Sequence, residues 1–212
     1  MFRAVLFDMD GVISDTEPVH ESADEKVLNE YGVNVDERWK GIKGLRQIDV
    51  FTKAIEMYGI KETPEVLVKK KMRYYKEEIH RITVFNSVLE VIAKLKGKYM
   101  LGLVSSSPKE CVDAVVNKYH LGKFFDVIIT GDDVKEGKPS PEPYLNAAKR
   151  LGCAASECIV VEDSINGVKS AKAAGMKCVG ITNSFPRQDL LMAGADEVID
   201  YIDDLPKLLE SI

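Results

Sequence analysis

No apolar run in this 212-residue chain approaches the roughly 18 residues that a membrane-crossing helix needs. The opening stretch, MFRAVLFDMD, reaches two aspartates before a signal-type apolar segment can form, so a cytoplasmic protein with no membrane partner is expected. Cysteine is sparse: Cys111, Cys153, Cys158 and Cys178 have no C-x-x-C spacing, which points to small buried thiols rather than a zinc or disulfide framework. A positive excess is also missing. Lys and Arg total 29 against 34 Asp and Glu, a net charge of −5, which argues against binding nucleic acid through its phosphates. Repeats and low-complexity tracts are absent, and Lys69-Lys70-Lys71 is the only charge run. Such a run is usually a solvated helix face, with a substrate-facing role open to one of the three lysines.

With 45% apolar and 30% charged residues, the chain has the composition of an ordinary globular protein, long enough for one substantial core and a smaller second unit. Arg3 to Asp8 reads as a short buried strand with polar residues at its carboxyl end. Similar runs lie at Met100 to Val104, Val127 to Ile129, Cys158 to Val161 and Lys177 to Ile181, with a weaker one at Glu197 to Ile199. Helical stretches at Pro108 to Tyr119, Pro141 to Leu151 and Ser164 to Ala174 alternate with the later strands, so a doubly wound, mainly parallel α/β sheet is expected. One gap breaks the rhythm, because roughly 90 residues separate the first strand from the second. Amphipathic stretches near Thr16 to Tyr31, Arg46 to Tyr58 and Pro64 to His80 fill it, and we assign an inserted all-helical cap at 16–81 and a core at 1–15 and 82–212. The cap carries 13 basic and 13 acidic residues, so the whole negative excess falls on the core.

Open α/β sheets bind ligands at the carboxyl ends of their strands. Four polar elements fall there: Asp8-Met9-Asp10-Gly11, Ser105-Ser106-Ser107, Lys138 within Gly137-Lys138-Pro139, and Glu162-Asp163-Ser164. Converging carboxylates repel unless a cation sits among them, and an all-oxygen set without His or Cys suits Mg²⁺ better than zinc. Asp8 and Asp10, two residues apart, fit a nucleophile and an acid/base group for attack on phosphorus. Ser105 and nearby backbone N–H groups would hold phosphoryl oxygens, and Lys138 would offset charge. Singly, each element has a structural explanation in helix capping or a surface charge. Their order along successive strand ends is the specific observation.

These motifs resemble those of the haloacid dehalogenase superfamily, in its phosphatase and β-phosphoglucomutase-like branch with a helical cap and a Rossmann-like core. The matching segments are Phe7-Asp8-Met9-Asp10-Gly11-Val12, Ser14-Asp15-Thr16-Glu17-Pro18, Val104-Ser105, Gly137-Lys138-Pro139 and Val161-Glu162-Asp163-Ser164. The resemblance implies Asp8 as nucleophile, Asp10 as acid/base and backbone Mg²⁺ ligand, Ser105 as phosphate hydroxyl, Lys138 as charge stabiliser, and Asp8, Glu162 and Asp163 as metal carboxylates. Gly11, Ser105, Ser106 and Lys138 are expected at the phosphate, and His20, Arg46 and Gln47 of the cap at the substrate. Asp10 argues against carbon–halogen chemistry. The expected activity is Mg²⁺-dependent hydrolysis of a small phosphorylated metabolite, a sugar or polyol phosphate. A β-phosphoglucomutase is the alternative, favoured by His20 and disfavoured by Gln47, which stands where the mutases carry a phosphate-binding arginine. A receiver-type phospho-switch is a remote third reading, since such domains lack a cap. A monomer suffices to complete the site, and the sequence leaves a dimer open.

Overall fold

The computed structural model describes residues 2–36, 39, 42 and 44–212. Six parallel strands form the main sheet: β1 (Ala4–Phe7), β4 (Met100–Val104), β5 (Val127–Ile129), β6 (Cys158–Glu162), β7 (Lys177–Ile181) and β8 (Glu197–Ile199), in the order β5-β4-β1-β6-β7-β8. All four side chains of β1 are buried, as a central strand covered on both faces requires. They alternate between two cores. Val5 and Phe7 pack with α4 (Val88–Leu95), α5 (Lys109–Lys118) and α9 (Leu205–Ser211), whereas Ala4 and Leu6 face α6 (Glu142–Leu151), α7 (Ile165–Ala173) and α8 (Arg187–Ala193). The chain leaves β1 toward β4 and β5, then returns across it to β6. The crevice flanking β1 is therefore the switch point where such folds place ligands.

Between β1 and β4 a two-stranded antiparallel ribbon, β2 (Ser14–Asp15) with β3 (Thr83–Val84), brackets three helices: α1 (Glu17–Asn29), α2 (Gln47–Tyr58) and α3 (Pro64–Glu78). These helices bury a cluster of their own, including Val27, Leu28, Phe51, Ala54 and Leu67, separate from the two sheet cores. Pro64 opens α3 at a position where its missing N–H costs nothing, and Gly59 closes α2 in the left-handed region. Observed helix bounds fall within two residues of the expected ones, the drift being fraying at caps. The ribbon, α8 and α9 were not anticipated, being too short to show a period. Among the described residues no helix is long and apolar enough to cross a membrane. Cys111, Cys158 and Cys178 are free and buried and Cys153 is half-buried, so no disulfide is present among them.

Candidate active site

Asp8 stands one residue beyond β1, and its backbone N–H still donates to the Val161 carbonyl at 3.0 Å. The sheet ladder thus fixes it between β4 and β6. Lys138, from the loop ahead of α6, is 2% exposed and reaches three acceptors: Asp8 Oδ1 at 2.6 Å, Glu162 Oε1 at 2.6 Å and the Val104 carbonyl at 3.2 Å. All three ammonium protons are accounted for, which makes Lys138 the rigid hub of the site. Burial alone would lower its pKa, but Asp8 and Glu162 more than reverse that and hold the ammonium charged.

Glu162, the last residue of β6, and Asp163, the first beyond it, are neighbours with different tasks. Glu162 Oε1 accepts from Lys138 and from Tyr144 Oη at 2.8 Å, while Oε2 accepts from the backbone N–H groups of Asp163 and Ser164 and from Ser164 Oγ, each at 3.1 Å. Its hydrogen-bonding capacity is spent inside the fold. Asp163 instead leans over Gly11 and accepts from the Ser184 hydroxyl. Gly11 has φ +83°, and a Cβ there would lie 1.8 Å from Asp163 Oδ2. Gly167, in the first turn of α7, makes room for Glu162 in the same way, with a hypothetical Cβ 1.7 Å from Oε1. Ligand atoms of Asp8, Glu162 and Asp163 lie within 4.8 Å of one another, and no other such acidic group occurs among the described residues. Burial raises the pKa of Asp8 well above the carboxylate range; Lys138 opposes this, while Glu162 and Asp10 add to it. Asp163 is raised by burial and by the charges of Glu162 and Asp8. Two carboxylates held at such cost, with only oxygen donors nearby, are the chemistry of a divalent-cation site, and the residues present fit one.

Asp10 points the other way. Its carboxylate accepts from Thr16 Oγ1 at 2.5 Å, Ser105 Oγ at 2.8 Å and Ser107 Oγ at 3.0 Å, and His20 Nε2 lies 3.5 Å away. Burial pushes its pKa up, but the His20 ring and the Thr16 and Ser105 hydroxyls outweigh that and hold the carboxyl well below its usual range. His20 is 7% exposed and lies against Tyr75, with ring centroids 4.7 Å apart and the planes tilted by 37°. It is therefore a buried member of the site, not a surface helix histidine.

A cavity roofed by the three inserted helices opens over this floor. Asp8, Asp10, Lys138 and Asp163 line it from the sheet, and His20, Asp24, Gln47 and Lys71 from the helices. Three residues expected at the ligand are hydrogen-bonded within the fold. The Gly11 N–H donates to the Ser14 carbonyl at 2.9 Å, within the turn that follows β1. Ser106 does border the cavity, but its hydroxyl donates to the Gly44 carbonyl at 2.8 Å and ties the sheet to the helical insertion. Arg46 makes a two-pronged pair with Asp49, 2.7 and 3.0 Å, and donates to the Val134 carbonyl at 3.1 Å, outside the cavity. In place of Ser106, Ser107 reaches Asp10; it is the third serine of the same run. Ser184 and Asn183, whose amide donates to the Gly11 carbonyl at 2.7 Å, follow β7. The strand-end rule applied to that strand would have found both. Tyr144 gives no sequence signal, since its partner Glu162 lies on another element.

Fold and site together define a doubly wound α/β enzyme with a carboxylate–lysine centre at the switch point and a helical roof. The chain belongs to the haloacid dehalogenase-like hydrolases, whose family pattern matches residues 5–181. It is 35% identical over 203 residues to a phosphorylated carbohydrates phosphatase of Thermotoga maritima, covering 91% of this chain and 92% of that protein. It is 28% identical over 181 residues to a fructose-1-phosphate phosphatase of Escherichia coli, covering 85% and 96%. A β-phosphoglucomutase of Clostridium difficile superposes with a TM-score of 0.87 at 27% identity, covering 99% of this chain and 96% of that one.

Proposed function

We propose that the protein is a Mg²⁺-dependent phosphatase of small sugar or polyol phosphates that works through a phosphoaspartate on Asp8. The observation that carries this reading is the opposition of two carboxylates at one strand end: Asp8 clamped by Lys138 at 2.6 Å, Asp10 held apart by three hydroxyls and His20. Asp8 Oδ attacks phosphorus, the ester P–O bond breaks, and the leaving oxygen takes a proton from Asp10. Water then attacks phosphorus, gives its proton to Asp10, and the bond to Asp8 breaks, returning the carboxylate and free phosphate. Asp10 thus gives up one proton in the first half and regains one in the second, with His20 Nε2 3.5 Å from its carboxylate. Thr16, Ser105, Ser107 and His20 are positioning residues for that group. Lys138 neutralises charge on Asp8 and the transferring group, and Glu162 holds Lys138 in place. Asp8, Asp163 and the Asp10 backbone carbonyl would hold Mg²⁺, with Glu162 contributing only if it released its present partners. The bound ion would stabilise charge on the phosphoryl oxygens. Residues 16–81 act as the cap that closes over the substrate and excludes water.

Phosphate release from p-nitrophenyl phosphate and from a hexose monophosphate should require Mg²⁺ and stop on chelation. No release with Mg²⁺ present would reject the reading. A second expectation concerns stability. Because Asp8 and Asp163 have raised folded pKa values, their protonated forms support the metal-free fold at low pH, and that support is lost as pH rises above the ordinary carboxylate range. Mg²⁺ replaces those protons, so the rise in Tm that it produces should be larger near about pH 8 than near about pH 5. Equal shifts at both would place the ion elsewhere.

The contact of His20 with Asp10 at 3.5 Å also favours a second reading, a phosphoglucomutase that returns the phosphoryl group to sugar. Conversion of β-glucose 1-phosphate to glucose 6-phosphate with a bisphosphate primer would establish it; free phosphate as the sole product would reject it.

A further inference from the structure

The helical wall of the cavity contains a buried polar bracket that the chemistry above leaves unused. Lys71, from the middle of α3, is 1% exposed although it belongs to the Lys69–Lys71 run. Its Nζ lies 2.8 Å from Asp24 Oδ1 on α1 and donates to the Gln47 side-chain carbonyl at the start of α2. Each of the three helices thus contributes one member. Lys70, by contrast, turns outward to Glu30 and Tyr31. Asp24 is 6% exposed and follows His20 by one helical turn, so α1 presents both to the same cavity. Among the described lining residues, Lys71 is the only cationic side chain apart from Lys138, and Lys138 is committed to Asp8 and Glu162.

A buried ammonium paired with one carboxylate presents no net charge, and the amide of Gln47 adds donor capacity without charge. Such a bracket suits hydroxyl groups and offers no counter-charge to a second anion. We propose that Asp24 and Gln47 determine specificity by turning Lys71 into a neutral, hydroxyl-binding contact, so that the enzyme selects singly phosphorylated, otherwise uncharged polyhydroxy substrates over those with a second phosphate. This inference rests on the phosphatase reading and names its substrate class. Discrimination of this kind is a difference of two affinities, and a mispaired charge contributes to it as much as a matched contact.

The test compares kcat/KM of the full chain with Mg²⁺ for fructose 1-phosphate and fructose 1,6-bisphosphate, which differ only in the second phosphate. Wild type should prefer the monophosphate. In Asp24→Asn, which leaves Lys71 charged without its carboxylate, the bisphosphate-to-monophosphate ratio should rise about tenfold or more, chiefly through KM. Gln47→Glu adds a carboxylate beside Lys71 without removing its partner, and should lower the ratio. It decides the matter if Asp24→Asn fails to fold, as judged by its circular dichroism. A ratio that is the same in wild type and in the folded variants, or a wild-type preference for the bisphosphate, overturns the inference. If wild type hydrolyses p-nitrophenyl phosphate while the ratio stays fixed, this inference alone fails. If wild type releases no phosphate from any ester, the phosphatase reading fails with it.

Discussion

Phosphate release should fall by about a thousandfold or more when Asp8 is replaced by Asn, since an amide is far too weak a nucleophile to replace a carboxylate at phosphorus. The loss should appear in kcat rather than KM, because the clamp on the phosphoryl group is otherwise intact. Stability should move differently. Ionised Asp8 is disfavoured by burial and by the nearby Glu162 and Asp10 charges, and Lys138 only partly offsets this. Removing that charge leaves Lys138 paired with Glu162, so the Tm of the metal-free protein should not drop. A variant dead in catalysis yet as stable as its parent is the signature of a carboxylate kept for chemistry. Loss of both together would mean that Asp8 is structural.

Lys138→Met should be the most damaging single change to the fold within the site. Lys138 is the cation that Asp8 and Glu162 share, and both pairs are at 2.6 Å with hardly any solvent access. Truncating one partner of a buried ion pair leaves uncompensated charge and costs about 3–5 kcal/mol, a large part of the stability of a typical domain. The expected result is a lower Tm and no measurable phosphate release. Adding Glu162→Gln should recover part of the Tm and none of the activity, because the double variant removes one of the two stranded carboxylates without restoring a counter-charge for phosphate. Additive effects of the two changes would contradict the coupling.

Most of this architecture is legible in the chain because burial writes a simple pattern. Four- and five-residue apolar runs such as Ala4–Phe7 and Met100–Val104 have few alternatives to a doubly covered strand, and their alternation with helices implies a doubly wound sheet once a long insertion is set aside. Asp8, Asp10 and Asp163 are legible for the same reason, since they follow the ends of β1 and β6 into one crevice, where Lys138 joins them from the loop ahead of α6. What escapes is direction. Glu162 and Asp163 look like a pair in sequence, yet the strand ends between them, one turning inward to Lys138 and Tyr144 and the other toward Gly11. Gly11 serves a left-handed turn and the approach of Asp163, neither of which its place in the sequence shows. Arg46 and Gln47 are adjacent, but the first ties α2 to the core at Val134 while the second meets Lys71, and no period distinguishes them. Which of three consecutive lysines is buried depends on how α3 packs against α1, and that packing involves two segments about forty residues apart.

The central claim is that the phosphoryl group passes through Asp8. Rapid acid quenching during turnover with Mg²⁺, followed by peptide mass spectrometry, tests it directly, since an acyl phosphate survives acid and yields to hydroxylamine. The account predicts one hydroxylamine-labile phosphoryl group on the peptide that contains Asp8, and none in Asp8→Asn. Turnover with no phosphorylated peptide, or with the phosphoryl group on another residue, would contradict it.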